Sequence, residues 1–141
     1  MTIDVESFIR TGTLGDISLG MTRNDLLGVL GVPDAVAGGG PTPEILKYGD
    51  VEVMLKGGVT TFISIALPPT RSSDGQYRGW RPTHDTTRSE CEYFLRHNQI
   101  AIDPDQRATR GSFRTFIVTD SNVRLTFVDD LLDRIYVMID D

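Results

Sequence analysis

Cysteine and histidine are scarce in this sequence. The 141 residues contain one cysteine, Cys91, and two histidines, His84 and His97. A single cysteine excludes a disulfide within the chain, and chains without disulfides are typical of a reducing compartment. Cys91 and His97 are six residues apart, so on a helix they would point to nearly opposite sides, which disfavours a shared metal site. We therefore expect no metal and no cofactor.

Long hydrophobic runs are also missing. No stretch approaches the roughly 18 consecutive apolar residues of a membrane-spanning helix. The first residues, MTIDVESFIRTG, lack the basic region, apolar run and cleavage site of a secretory signal. Together with the single cysteine, these absences predict a cytoplasmic protein that does not bind a membrane.

Basic residues are outnumbered by acidic ones. The chain has 14 lysines and arginines against 20 aspartates and glutamates, for a net charge of −6. Nucleic-acid binding depends largely on neutralising phosphates, so this excess disfavours a nucleic-acid partner. The same charge would accelerate the encounter with a basic protein. Solubility alone is the simpler explanation of the acidic charge.

No catalytic motif is present. The chain has no serine in a Gly-x-Ser-x-Gly turn, and Gly15 and Gly20 are not followed by the Lys-Ser/Thr pair of a phosphate loop. Its carboxylates fall mainly in predicted turns, where they are ordinarily solvated. Cys91 shares the inward stripe of a predicted helix with Phe94 and Leu95, which indicates a buried thiol. The sequence therefore favours a protein that is not an enzyme, although acid–base pairs that form only in the folded chain leave no motif.

The stretch with the most specific order is Gly15 to Asp34, GDISLGMTRNDLLGVLGVPD. Thr22 is placed to cap a helix, and Asp25 is placed to complete a capping box. The apolar residues that follow, Leu26, Leu27 and Leu30, recur at three- and four-residue spacing, which predicts one apolar stripe. A glycine and a proline then end the helix. A helix of about nine residues is too short to be stable alone, so its stripe must pack on a sheet.

The remaining chain alternates predicted strands and turns around a second capped helix. A short helix is predicted from Ile3 to Arg10. Strands are predicted at residues 45–48, 51–56, 60–67, 100–102, 113–119, 123–128 and 134–139. Ala35 to Pro43 is predicted to be a loop because it contains three glycines and two prolines. Thr87 and Glu90 form a second capping-box pattern, which predicts a helix from Arg88 to His97.

The order of elements is the same in the two halves of the chain. Residues 15–67 and 86–139 each read as a helix followed by three strands, and a long polar loop, residues 68–85, joins them. The alternating apolar residues of the phrase VEVMLK match those of VRLTFV. We therefore predict a single α+β domain over residues 1–141, built of two helix-plus-three-stranded antiparallel meander repeats with the helices on one face. The simpler explanation is that a helix followed by a meander is a common arrangement.

Two resemblances follow from these patterns. The phrase LGMTRNDLLGVLGVP resembles the "G-M-T, apolar helix, L-G-x-P" signature of small outer-membrane assembly lipoproteins. The tandem helix-plus-meander plan is similar to that of the β-lactamase inhibitor proteins, which grip their target enzyme with an open sheet face. Bacterial toxin-immunity proteins also use small scaffolds of this kind. The chain departs from the lipoproteins in lacking a lipidated N-terminal cysteine, and from secreted inhibitors in lacking disulfides; the resemblances therefore imply a bacterial protein with this scaffold.

The strand residues expected to face the helices are Val51, Val53, Leu55, Ile63, Ile65, Val123, Leu125, Phe127, Ile135, Val137 and Ile139. The strand residues that alternate with them would face away from the helices. These outward positions combine aromatic residues and methionine with charges, a mixture that is enriched at protein interfaces. Two aromatic residues of the long loop are placed to extend the same surface. The predicted partner-binding residues are Met54, Phe62, Tyr77, Trp80, Arg124, Arg134, Tyr136 and Met138.

The first functional hypothesis is a non-enzymatic protein-binding module. Its most concrete form is an immunity or inhibitor protein that neutralises a basic toxin or enzyme through the open sheet face. A small-molecule-binding protein or enzyme, with a pocket near Tyr77, Trp80 and His84, is the alternative. A structural homodimer is the second alternative.

Overall fold

The computed structural model describes residues 2–67 and 77–139 of the chain. The helices in these ranges are α1 (Val5–Thr11), α2 (Arg23–Leu30) and α3 (Arg88–His97). Asp4 caps α1, whereas Thr22 and Thr87 cap α2 and α3. Each threonine forms the predicted capping box with the acidic residue three positions further on. None of the helices in the described ranges is long and apolar enough to cross a membrane.

The strands of the described residues form one antiparallel sheet of eight strands, which confirms the predicted α+β class. The strands are β1 (Ala35–Gly39), β2 (Thr42–Tyr48), β3 (Val51–Lys56), β4 (Val59–Ala66), β5 (Ile102–Pro104), β6 (Phe113–Val118), β7 (Arg124–Val128) and β8 (Leu131–Met138). Their order across the sheet is β1-β2-β3-β4-β8-β7-β6-β5. Two consecutive meanders thus meet at their last strands.

The segment Ala35 to Pro43, predicted to be a loop, instead forms β1 and the start of β2. Val36 pairs with Leu46, and Ala37 pairs with Ile45. The prediction was wrong because β1 is an edge strand with four of its five residues exposed. Such a strand has no buried face and therefore no apolar alternation in its sequence. Each half of the sheet contributes four strands, whereas the predicted repeat unit has three; the additional strand is β1 in the first half and β5 in the second.

The hydrophobic core lies between the sheet and the three helices. Phe8, Leu26 and Leu95 are buried there, one from each helix. The sheet residues predicted to face the helices are also buried, namely Val51, Val53, Leu55, Ile63, Ile65, Val123, Leu125, Phe127, Ile135 and Val137. Ile139 is the exception at 40% exposed, because it follows the last residue of β8.

The helices α2 and α3 each begin against a hairpin turn of their own half. The backbone nitrogen of Arg23 donates to the carbonyl of Gly58 at 3.1 Å, in the turn between β3 and β4. The backbone nitrogen of Arg88 donates to the carbonyl of Asp130 at 2.8 Å, in the turn between β7 and β8. These bonds hold both helices over the same side of the sheet. The opposite side carries no helix from the described residues.

The predicted long loop, residues 68–85, is described only from Tyr77 onwards, and residues 68–76 lie outside the described residues. Tyr77 forms a parallel bridge with Ile3, and the backbone nitrogen of Arg78 donates to the carbonyl of Ile3 at 2.8 Å. The last part of the predicted loop is therefore fixed to the N-terminal segment.

Candidate functional site

The open face is the side of the sheet that carries none of the described helices. In the sheet register Phe62 lies between Met54 and Met138, and Ile45 lies beyond Met54. Side chains at directly paired positions lie on the same face and contact one another. These four residues therefore form an apolar row across β2, β3, β4 and β8. Met138 is 39% exposed, and the other three are partly buried.

Tyr136 extends the apolar row toward the middle of the sheet. Its ring is stacked on the ring of Phe62, with 5.4 Å between centroids and 28° between planes. Burial raises the pKa of Tyr136 above its usual value; Arg124 and Arg134 oppose this shift, whereas Asp105 adds to it. The hydroxyl is therefore protonated at neutral pH and retains its capacity to donate a hydrogen bond.

Three buried hydroxyl groups lie on the open face, on β4, β7 and β6. Ser64 and Thr126 are each 3% exposed, and Thr115 is 1% exposed. Ser64 pairs directly with Tyr136, and Thr126 pairs with both Thr115 and Arg134. The centre of the open face is thus closed to water, although no described helix covers it. A partner would contact the larger side chains around these hydroxyls.

Charges of both signs occur on the open face. Arg124 pairs with Tyr136, and Arg134 lies two residues before Tyr136 on the same strand. Lys47 pairs with Glu52 on β2 and β3. The described residues of the open face therefore carry charges of both signs.

Six of the eight predicted partner-binding residues share the open face, namely Met54, Phe62, Arg124, Arg134, Tyr136 and Met138. Trp80 does not, because its ring stacks on Phe94 of α3 at 3.8 Å, on the helix side. The hydroxyl of Tyr77 donates to Asp50 at 2.7 Å, and the guanidinium of Arg81 lies 4.6 Å from the centre of the Tyr77 ring. These two aromatic residues stabilise the end of the long loop. Their placement differs from the prediction because loop residues have no periodicity that indicates a direction.

A groove lies along the outer side of α3. Its volume is about 570 Å³, and its walls are formed by Trp80, Thr86, Ser89, Glu90, Tyr93, Phe94, His97 and Asn98. Of the pocket predicted around Tyr77, Trp80 and His84, only Trp80 lines this groove. The residues that α3 contributes to this groove were not predicted from the sequence. The available signal was the spacing of Tyr93 and His97, which are four residues apart and are therefore neighbours on a helix.

Cys91 is buried on α3, as the sequence predicts. Burial, with a smaller contribution from Glu92, raises the pKa of the Cys91 thiol to about 12. The thiol is therefore neutral at physiological pH, whereas a catalytic cysteine reacts as the thiolate. Cys91 has the properties of a small core residue rather than of a nucleophile.

Comparisons of the chain with protein families, with curated proteins and with solved structures find no match. The resemblances to inhibitor, immunity and assembly proteins therefore stay predictions. In the part of the chain that the structure describes, no three metal-ligating side chains are grouped to hold an ion.

Proposed function

We propose that this protein is a non-enzymatic binding module whose open face contacts a protein partner. The apolar row, extended by Tyr136, is the observation that carries the proposal. Aromatic residues, methionine and arginine are enriched where proteins bind one another. Met54, Phe62, Tyr136 and Arg124 provide all three classes on adjacent strands. A sheet face that carries none of the described helices presents them together.

The most concrete form of this function is a cytoplasmic immunity or inhibitor protein that neutralises a basic toxin or enzyme. The net charge of −6 supports a basic partner, because an acidic field accelerates encounter with positive charge. The resemblance to inhibitor and immunity scaffolds supports the class. The open face itself carries both signs of charge. The negative net charge of the whole chain would therefore raise the rate of encounter with a basic partner, whereas the side chains of the open face would determine which partner binds.

We also propose that the two halves of the sheet are structural repeats. The hairpin of β3 and β4 has a register shift after Met54, and the hairpin of β7 and β8 has one after Thr126. The helices α2 and α3 begin against the turns of these same two hairpins. Matching bulges and matching helix starts in both halves support duplication of one unit over the simple recurrence of a common arrangement.

The proposed repeat would divide the open face into two chemically different halves. A two-fold axis through the paired residues Ser64 and Tyr136 would exchange β4 with β8 and place Phe62 on Arg134. Phe62 is apolar, whereas Arg134, at the equivalent position of the other half, is charged. A partner would therefore be bound in one orientation only.

The test compares the wild-type chain with a Phe62→Glu/Tyr136→Glu double variant as tagged baits in lysate of the native host. Tyr93→Glu is the control, because Tyr93 is 64% exposed on α3, away from the open face. We expect the wild type and the control to retain one stoichiometric protein that the double variant loses. With that protein purified, the double variant should bind at least about 30-fold more weakly, as expected for loss of a central aromatic contact.

Met138→Glu provides a second test, because Met138 is 39% exposed and a charge there leaves the core intact. Circular dichroism would check that every variant is folded. Equal binding by folded wild type, double variant and Met138→Glu would contradict the proposal. A wild-type dimer in sedimentation that Tyr136→Glu dissociates would instead assign the open face to a second copy of this chain.

A further inference from the structure

The groove on the outer side of α3 has a chemistry that the open face does not share. Half of the eight described residues that line it carry an aromatic ring, namely Trp80, Tyr93, Phe94 and His97. Trp80 and Phe94 are stacked with 3.8 Å between centroids and 10° between planes. Tyr93 and His97 are stacked with 4.6 Å and 25°. Two stacked pairs therefore line one short groove.

Tyr93 gives this groove an accessible aromatic surface. It is 64% exposed, the most exposed aromatic residue among the large hydrophobic residues of the described chain. The faces of aromatic rings carry partial negative charge, so they attract cations and not anions. Trp and Tyr provide the strongest such faces.

The charged side chains of the groove also favour a cation over an anion. Among the described residues that line the groove, Glu90 is the only carboxylate, and none is a lysine or an arginine. Its Oε1 accepts hydrogen bonds from the backbone nitrogen of Thr87 at 3.4 Å and from the Thr87 hydroxyl at 3.0 Å. These bonds fix the carboxylate at the start of α3 without cancelling its charge. Glu90 belongs to none of the ion pairs found between described residues.

We propose that the α3 groove binds a small organic cation that carries a quaternary ammonium group. Aromatic faces recognise such groups by cation–π attraction, and Glu90 adds a full negative charge beside them. The volume of about 570 Å³ lies in the range of small-molecule sites. The net charge of −6 disfavours a lipid headgroup as the source, because anionic membrane surfaces repel an acidic chain. This site is separate from the open face and does not depend on the function proposed for it.

The natural reporter of binding is Trp80, because the chain contains a single tryptophan. The full chain is titrated with choline at constant ionic strength, and in parallel with 3,3-dimethylbutan-1-ol, its uncharged isostere. We expect choline to change the Trp80 fluorescence saturably and the isostere to bind at least about fivefold more weakly. Phosphatidylcholine vesicles form a third arm. Equal binding of choline and the isostere, no binding of either, or binding of vesicles alone would overturn the proposal.

Two variants locate the site. Glu90→Gln keeps a side chain that completes a capping box, so α3 remains capped while the charge is lost. Glu52→Gln is the matched control, because it removes the same charge from the open face. We expect Glu90→Gln and Tyr93→Leu each to weaken choline binding by roughly fivefold, and Glu52→Gln to leave it unchanged.

Equal weakening by Glu52→Gln and Glu90→Gln would show a response to net charge and not a site, and would overturn the assignment. Because Tyr93 is exposed, Tyr93→Leu tests the aromatic contribution without disturbing the core. Choline binding by the Phe62→Glu/Tyr136→Glu variant at wild-type strength would show that the α3 groove works independently of the open face.

Discussion

Cys91 illustrates how burial decides the chemistry of a single residue. Its thiol is fully buried, and burial raises the pKa from 9.0 to about 12. In the unfolded chain the thiol ionises above about pH 9, whereas in the folded chain it stays neutral until about pH 12. The thiol therefore stabilises the fold fully below pH 9, and this contribution is lost as the pH rises from 9 to 12.

The first prediction compares wild type with Cys91→Ala by urea unfolding at about pH 7.5 and about pH 10. The variant loses packing at both values, but only the wild type loses free energy from thiol ionisation. Between the two pH values the stability difference should therefore narrow by about 1.4 kcal/mol, the linkage free energy of one pKa unit. The raised pKa values of Tyr48 and Tyr136 affect both proteins alike and cancel. A difference that is independent of pH would contradict the burial argument.

Periodicity predicts individual core residues where a strand is regular. The alternating residues of β3 and β7 are buried as the sequence predicts. On α2 the predicted stripe is correct in direction but uneven in depth, since Leu26 is fully buried while Leu27 and Leu30 are partly exposed. Periodicity indicates which way a side chain points, whereas the extent to which it is buried depends on the neighbouring residues that cover it.

At the scale of elements, the capped helices were predictable because their signals are local. Thr22 with Asp25, and Thr87 with Glu90, form the two capping boxes that the sequence indicates. The end of α2 also depends on a distant residue: the hydroxyl of Tyr48 donates to the carbonyl of Gly31 at 2.9 Å. A contact of this kind joins residues far apart in the chain and has no signature in the sequence.

Two glycines give opposite predictions for the same substitution. Gly28 lies inside α2, where an added Cβ would meet nothing within 4 Å. Gly28→Ala should raise the free energy of unfolding by roughly 0.5–1 kcal/mol, because alanine favours the helix. Gly38 has a φ of +72°, and a Cβ there would collide with the carbonyl of Pro43. Gly38→Ala should therefore destabilise the protein by more than 1 kcal/mol, as roughly expected for a strained left-handed position.

Thermal and urea unfolding of both glycine variants measure this pair of effects. Stabilisation by Gly38→Ala would mean that the glycine-rich segment is not the edge strand described here. Destabilisation by Gly28→Ala would mean that α2 does not extend through Gly28. The glycines of β1 also explain why Ala35 to Pro43 was predicted to be a loop. Gly38 and Gly39 have positive φ, whereas the residues of a regular strand do not.

At the scale of the whole molecule, the joining of the two meanders was not predictable. Ile63 pairs with Val137 and Ile65 pairs with Ile135 across the boundary of β4 and β8. Both strands alternate in the same way, so their sequences are compatible with several neighbours. The pairing joins residues that lie far apart in the chain, so no single segment encodes it.

The candidate site, like the fold, could be predicted from the sequence only in part. The open face was predictable because it is the complement of the core positions on regular strands. The location of Trp80 was not, because the chain direction between β4 and α3 depends on contacts such as the Trp80–Phe94 stack. The groove along α3 follows from that contact and was missed for the same reason.

Methionine methyl groups report directly on which side of the sheet a partner contacts. Met54 and Met138 lie on the open face, whereas Met21 packs against the helix-side core. The measurement is a nuclear magnetic resonance titration of the chain, with isotope-labelled methionine methyl groups, against the partner captured by the wild-type bait. We predict that the Met54 and Met138 resonances shift on addition of the partner and that the Met21 resonance does not. A shift of Met21, with Met54 and Met138 unchanged, would contradict the assignment of the open face as the binding surface.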